Sequence, residues 1–406
     1  MKILHTVESF FPEKNGMSEV VRIISESLVK QGHNITIATR FNKQRINDVY
    51  NGIKIISFEI TGSEVLGYNG DILKYQNFIV ESKFDIIVNF AAQQWATDLC
   101  LPLLERLTSK KIFVPTGFSA LYDKKYFDYY QNMQNYMRNY DLNIFLSYKY
   151  RDFYFAVNNN INNYIVIPNG ASYLEFSNSI NFNVKTYLKI NTNDKLIIHV
   201  GSYTGEKGHQ EAIKIFLKSK INNYSLLFIG DNFENNSDFL SNFNWFKYNN
   251  HKSFFKFSSL KSLKTYYNYL FSKNKNKIYY CSLNRQELVA TYLQSDILLF
   301  PSKIECSPLV VFEAMASKTI CLASDVGNVK EIFESSGCGI VLPTKIKKNG
   351  YSYVNINKSS KILLQIANQS NLNMVEKGYN FWKNNNTWES ISLKYEQIYK
   401  NLFNKI

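Results

Sequence analysis

In "FPSKIECSPLVVFEAMAS", Phe300 to Ser317, a carboxylate interrupts an apolar run: Glu313 follows Leu309 to Phe312 and precedes Ala314 to Ala316. A second acid, Glu305, stands eight positions upstream. An unpartnered buried charge is costly, so Glu313 must have something to bind. "DILLF" reads as a buried strand, "PSKIEC" as a turn, and Ser307 before Pro308 as an N-cap followed by proline at the first helical position. The spacing predicts a helix beginning at Pro308. The free amides of Leu309 and Val310, at the positive end of its dipole, would form an anion site suited to a diphosphate. Glu313 lies five residues on, about 7.5 Å along the axis, where a ribose joined to that diphosphate would sit and offer two hydroxyls. Glu305, in the turn, would face the other end and accept hydrogen bonds from hydroxyls of a sugar. The competing arrangement has one acid facing solvent and the other paired with a lysine.

Such residues need a scaffold that delivers turns to one edge. The first forty residues read as a βαβ unit: "KILHTV" is a strand, "SEVVRIISESLVKQG" places Val20, Ile24 and Leu28 at helical spacing, Gly32 ends the helix, and "NITIAT" is the next strand. "GIKIISFEI", "FDIIVNF", "KKIFVP", "LNIFLS" and "NYIVIPNG" continue the series. The pattern restarts with "KLIIHVGSYTGEKGHQEAIKIF" and proceeds through "YSLLFIGDN", "ILLFPS", "TICLAS" and "CGIVLP". Alternating strands and helices argue for doubly wound parallel sheets. We expect an α/β chain of two Rossmann-like domains, residues 1–180 and 181–384, joined near 177–190, with ligands at the carboxyl ends of the strands in a cleft between the domains. Two stretches break the regularity. Residues 232–276, rich in Asn, Phe, Lys and Tyr, read as an insertion. "YDKKYFDYYQNMQNYMRNYD" places Tyr126, Tyr130, Met133, Met137 and Tyr140 on one helical face, the pattern of a core stripe.

Composition narrows the classes. At 406 residues with 45% hydrophobic and 20% charged content, the chain is globular and long enough for two cores. No apolar run approaches the roughly 18–20 residues of a membrane span, and "MKILHTVESFF" lacks a signal-peptide core. The five cysteines, Cys100, Cys281, Cys306, Cys321 and Cys338, have no CxxC spacing and read as reduced core thiols of a cytoplasmic protein. The net charge of +14 comes from scattered lysines without a nucleic-acid motif. It leaves phosphate-bearing small molecules or an anionic membrane face as partners, beside simple solvation.

The two acids of "ECSPLVVFE", with "AMASKTICLASDVGNVKEI" after them, resemble the Glu, seven residues, Glu signature of retaining glycosyltransferases of the GT-B fold, family 4. "FPEKNGMSEVV", "VIPNGASYLEF", "HVGSYTGEKGHQEAI" and "NTWESISLKYEQIYKNLF" extend the resemblance over nearly the whole chain. It implies that the C-terminal segment 385–406 crosses back to complete the first domain. It further implies that Glu313 binds the donor's ribose, that Glu305 contacts the transferred sugar, and that the amides after Ser307 hold the diphosphate. Lys207 of "GEKG" would neutralise the diphosphate, Gly16 would belong to a loop approaching donor or acceptor, and backbone near Leu283 would contact the base.

The chain departs from the family pattern at four places. Ser202 stands where an arginine is usual, so one cation on the diphosphate is missing unless Arg285 or another basic residue supplies it. Asn89 and Thr116 stand where a histidine is usual near the reacting sugar, and Lys318 where glycine usually follows the helix. His33 and His199 read as packing or strand-end residues. The implied activity is retaining, metal-independent hexosyl transfer from a nucleotide-sugar, a substrate and not a cofactor, to a glycan or lipid-linked acceptor in cell-surface polysaccharide or glycolipid synthesis. It would take place in the cytoplasm, with peripheral contact to the inner membrane face and no nucleic acid. A nucleotide-sugar epimerase, a phosphorylase or a non-catalytic nucleotide-sugar-binding subunit are the alternatives.

Overall fold

The computed structural model describes residues 1–13, 15–230 and 277–404. The segment 232–276, expected to be an insertion, lies outside the described residues. The chain divides into two compact units, Met1–Gly170 with Asn385–Ile406, and Ala171–Asn384. The division at Gly170 falls earlier than the 180–181 boundary expected from the sequence.

The first unit is built on an eight-stranded sheet in the order Tyr164–Val166, Leu142–Phe145, Lys110–Val114, Ile86–Phe90, Lys2–Thr6, Asn34–Arg40, Ile53–Phe58 and Val49–Tyr50. All neighbours are parallel except the last pair. Strands buried on both faces need continuous apolar runs, and "IIVNF" is buried at every position. The helix Gly16–Lys30 follows the first strand and buries Val20, Ile24 and Leu28. It starts at a capping box in which Asn15 and Ser18 satisfy each other's backbone amides. Helix Phe127–Asn139 buries Tyr130, Met133 and Met137, and Tyr140 just beyond it is buried too. The tyrosine–methionine stripe is therefore core. The closing helix Trp388–Phe403 belongs to this unit. His33 Nε2 lies 3.1 Å from Glu396 Oε1 and Tyr399 Oη 3.4 Å from His5 Nε2, tying that helix to the sheet's first elements.

The second unit carries a six-stranded parallel sheet ordered Ile278–Cys281, Tyr224–Ile229, Lys195–Val200, Ile297–Phe300, Ile320–Ala323 and Gly339–Val341. Strand order reverses at Lys195–Val200, which pairs on one side with the strand that follows it and on the other with Ile297–Phe300. This is the topological switch point of a doubly wound sheet, where loops diverge and leave room for a ligand. The loops leaving these two neighbouring strands are Gly201–Gly208 and Pro301–Pro308.

Candidate functional site

The two loops at the switch point are locked together by backbone. Gly208 has φ +79°, and a Cβ placed on it would stand 2.0 Å from the carbonyl oxygen of Pro301. Only glycine tolerates both the conformation and the approach. Lys303 N donates to Glu206 O at 2.8 Å. On the other flank, Asn328 N donates to Cys306 O at 2.9 Å, and a Cβ placed on Gly327, at φ +53°, would stand 2.1 Å from the same carbonyl oxygen. The turn that carries Glu305 is thus fixed from both sides.

On that frame Lys207 and Glu305 meet. Lys207 Nζ lies 2.7 Å from Glu305 Oε1, and Ser302 Oγ donates to the same oxygen at 2.9 Å. Their side chains are 28% and 13% exposed, so the pair is sheltered yet reachable. Behind them, burial together with the Lys207 charge pushes the His199 imidazole down to about 4, although the Leu299 carbonyl it bonds opposes the shift. Burial, and then its neighbour His199, holds His209 well below the usual histidine range. Both rings are packing groups. Ser202 is exposed, its carbonyl accepting from Thr204 N at 2.8 Å, and Leu283 is half-buried against the core.

The helix expected to begin at Pro308 spans Leu309–Ala316. Ser307 is not its N-cap. Pro308 occupies that position with φ −68° and ψ 120°: the ring fixes φ but leaves ψ extended, and the first helical residue is Leu309. The Ser307 hydroxyl instead accepts from Asn328 Nδ2 at 2.9 Å. The amides of Leu309 and Val310 open the helix, as expected.

Glu313 is buried in that helix, at 6% exposure, and its partner is an arginine from another helix. Arg285 Nη1 donates to Glu313 Oε1, while Arg285 Nε and Nη2 both donate to Glu175 Oε2, at 3.0 and 2.6 Å. Burial opposes the guanidinium charge, but Glu313 and Glu175 outweigh it and hold the arginine's pKa above its ordinary value. Arg285, one candidate for the missing diphosphate cation, is engaged by two carboxylates. Sequence reading missed Glu175, which stands 110 positions from Arg285 with no local spacing to betray it.

In the first unit, Gly16 is the first residue of its helix and a Cβ there would meet nothing within 4 Å. Packing within the unit does not require glycine. Asn89 is fully buried, donating to Thr6 Oγ1 at 2.7 Å and accepting from Tyr140 Oη at 2.9 Å. Thr116 has φ +59°, and on the neighbouring strand's exit Ala91 and Gln93 have φ +63° and +64°. Each such residue costs about 1–3 kcal/mol, a strain that tends to gather at functional loops. Among the described residues no group of three or more His, Cys, Asp or Glu side chains is arranged to hold a metal ion. No helix among them is long and apolar enough to cross a membrane.

Residues 183–352 match the family model described as glycosyl transferases group 1. The chain is similar to an uncharacterized 41.2 kDa protein in the cps region of Klebsiella pneumoniae, 22% identical over 84% of this chain and 86% of that protein. Among solved structures it resembles sucrose-phosphate synthase from Thermosynechococcus elongatus, with TM-score 0.73, 16% identity and full coverage of both chains. It also resembles Anabaena HepE in complex with UDP and glucose, with TM-score 0.69, 12% identity and coverage of 99% of this chain and 100% of that one. The chain has the GT-B fold.

Proposed function

We propose that this protein is a retaining, family 4 glycosyltransferase that moves a hexose from a nucleotide-sugar to a glycan or lipid-linked acceptor in cell-surface polysaccharide synthesis. The observation that carries the reading is the Lys207–Glu305 pair at 2.7 Å, set at the switch point within a segment that matches glycosyl transferases group 1. The similarity to a protein of a cps region supports the polysaccharide assignment. The UDP and glucose held by a structure of the same fold support the donor class.

In this reading the amides of Leu309 and Val310 and the ammonium of Lys207 face the diphosphate. The bond between the sugar's anomeric carbon and the diphosphate oxygen breaks, and the electron pair leaves with the nucleoside diphosphate. A fixed cation and fixed dipoles aimed at that developing charge lower the barrier without reorganisation. The acceptor oxygen bonds the anomeric carbon on the face the diphosphate leaves, and its proton passes to the departing phosphate oxygen. Glu305 holds sugar hydroxyls, and Glu313 accepts the ribose hydroxyls. The strained loops after Ile86–Phe90 and Lys110–Val114 serve the acceptor.

The test is a thermal-shift screen of nucleoside diphosphates and their hexose conjugates. A ligand at about 100 times its dissociation constant adds about 2.7 kcal/mol of stability. A raised melting temperature with one base's diphosphate and its sugar conjugate is expected; no shift with any of them would overturn the reading.

A further inference from the structure

The guanidinium of Arg285 is committed to two carboxylates in a way that simple charge balance does not require. It is the first residue of helix Arg285–Leu293, whose start is fixed by a capping box: Asn284 N donates to Glu287 Oε2 at 2.9 Å and Glu287 N to Asn284 Oδ1 at 3.1 Å. From this fixed root the side chain runs over the Phe176 ring, 5.9 Å from its centroid. One edge of the fork closes on Glu175 Oε2 through two N–H groups, and the remaining nitrogen reaches Glu313 Oε1. The planar fork cannot turn without losing one of these contacts. Glu313 is thereby held by Arg285 at one oxygen, with the buried Tyr292 hydroxyl beside it, while an ionised carboxylate offers about four acceptor sites.

We propose that Arg285, braced by Glu175, is a positioning residue that fixes the rotamer of Glu313 so that its remaining lone pairs meet the two adjacent hydroxyls of a ribose. The inference rests on the donor site proposed above. It explains why Glu313 is paired with an arginine that is itself shared. A single lysine would neutralise the acid but leave the carboxylate free to rotate. A shared, planar partner sets its plane. Replacing such a pair with apolar residues is often neutral for stability, so the arrangement serves geometry better than it serves folding.

The experiment compares each nucleoside diphosphate of the uridine, guanosine, adenosine and cytidine series with its 2′-deoxy form, by calorimetry on the full chain. Wild type is expected to prefer the ribose form of its cognate base by about 10- to 100-fold, the range of one hydrogen bond to a charged group. Arg285→Met should bind the deoxy form much as wild type does and lose most of the ribose preference, to within about threefold. Arg285→Lys should recover part of it. Glu313→Gln should abolish the preference, and Arg285→Met added to it should change nothing more. Glu175→Gln, which keeps side-chain volume, should reduce the preference several-fold and serves if Arg285→Met does not fold. Equal weakening of both nucleotides in Arg285→Met, or in Glu175→Gln, would reduce the cluster to a structural brace and overturn the inference alone. If wild type binds no nucleotide of the panel, the donor site falls and the inference falls with it.

Discussion

Lys207 Nζ and Glu305 Oε1 are hydrogen-bonded partners at 2.7 Å, although they are 98 positions apart in the chain. The cation assigned to the leaving diphosphate and the acid assigned to the transferred sugar thus share one point at the exit of two neighbouring strands. A donor that binds there must bring its diphosphate to a lysine already neutralised by a carboxylate. The affinity and the rate therefore respond differently to the loss of either partner.

Glu305→Ala removes an anion from beside Lys207. Affinity for the free nucleoside diphosphate should be unchanged or tighter, while turnover with the sugar conjugate falls about 10- to 100-fold as charged hydrogen bonds to the sugar disappear. Calorimetry and initial rates on the same preparation separate the two quantities. Equal loss of affinity for both ligands would place Glu305 away from the sugar.

Glu313→Gln keeps the side-chain volume and removes the charge that Arg285 meets. Donor binding should weaken by about 1.5–3 kcal/mol, with the fold retained, because Glu175 still engages Arg285. A folded variant with wild-type donor affinity would refute the ribose assignment.

The buried titrating groups give the two units opposite responses to acid. In the second unit burial lowers His199 to about 4 and His209 well below the usual range. Their unfolded forms bind protons from about pH 6.5 downward, so the stability they contribute is full above that pH and is lost as pH falls toward 4. In the first unit burial raises Asp98 and Asp152 to about 7. Their contribution is full below about pH 3.9, where the unfolded acids are protonated too, and is lost as pH rises through 7. Burial also lowers His5 to about 3, which offsets part of that gain. Between pH 7 and pH 5, hydrogen-exchange protection should drop in Lys195–Val200 and Ile297–Phe300 more than in Ile86–Phe90 and Lys110–Val114. A uniform drop in both sheets would contradict this.

Much of the scaffold was readable because strands buried on both faces read as near-continuous apolar runs, as "LIIHV", "ILLF" and "IIVNF" do. The strand Ile278–Cys281 was not, because its sequence "IYYC" adjoins a stretch rich in Asn, Phe, Lys and Tyr and carries no period to separate it from that sequence. At the site, Glu305 and Glu313 stood out by type and spacing, and Lys207 by its match to the family pattern. Glu175 did not, and Arg285 entered only as a candidate cation, since the contact that joins them spans 110 positions and exists only once the sheet has folded. Lys318 adopts φ +57° and donates to Glu376 Oε1 at 2.6 Å. The left-handed turn that glycine would favour is retained here with a lysine in its place, which no propensity predicts.

The most direct test of the account is Lys207→Ala. Ser202 is exposed and carries no charge, and Arg285 is engaged by Glu175 and Glu313; in the proposed reading Lys207 and the amides of Leu309 and Val310 carry the diphosphate's developing charge. Single-turnover release of nucleoside diphosphate at saturating donor, with water as acceptor, should fall in Lys207→Ala on the order of 100- to 1,000-fold. Ser202→Arg placed in that background should restore part of the rate by returning a cation to the same site. A Lys207→Ala rate within about threefold of wild type, far below that range, would contradict the account, because the leaving group would then be stabilised by other residues.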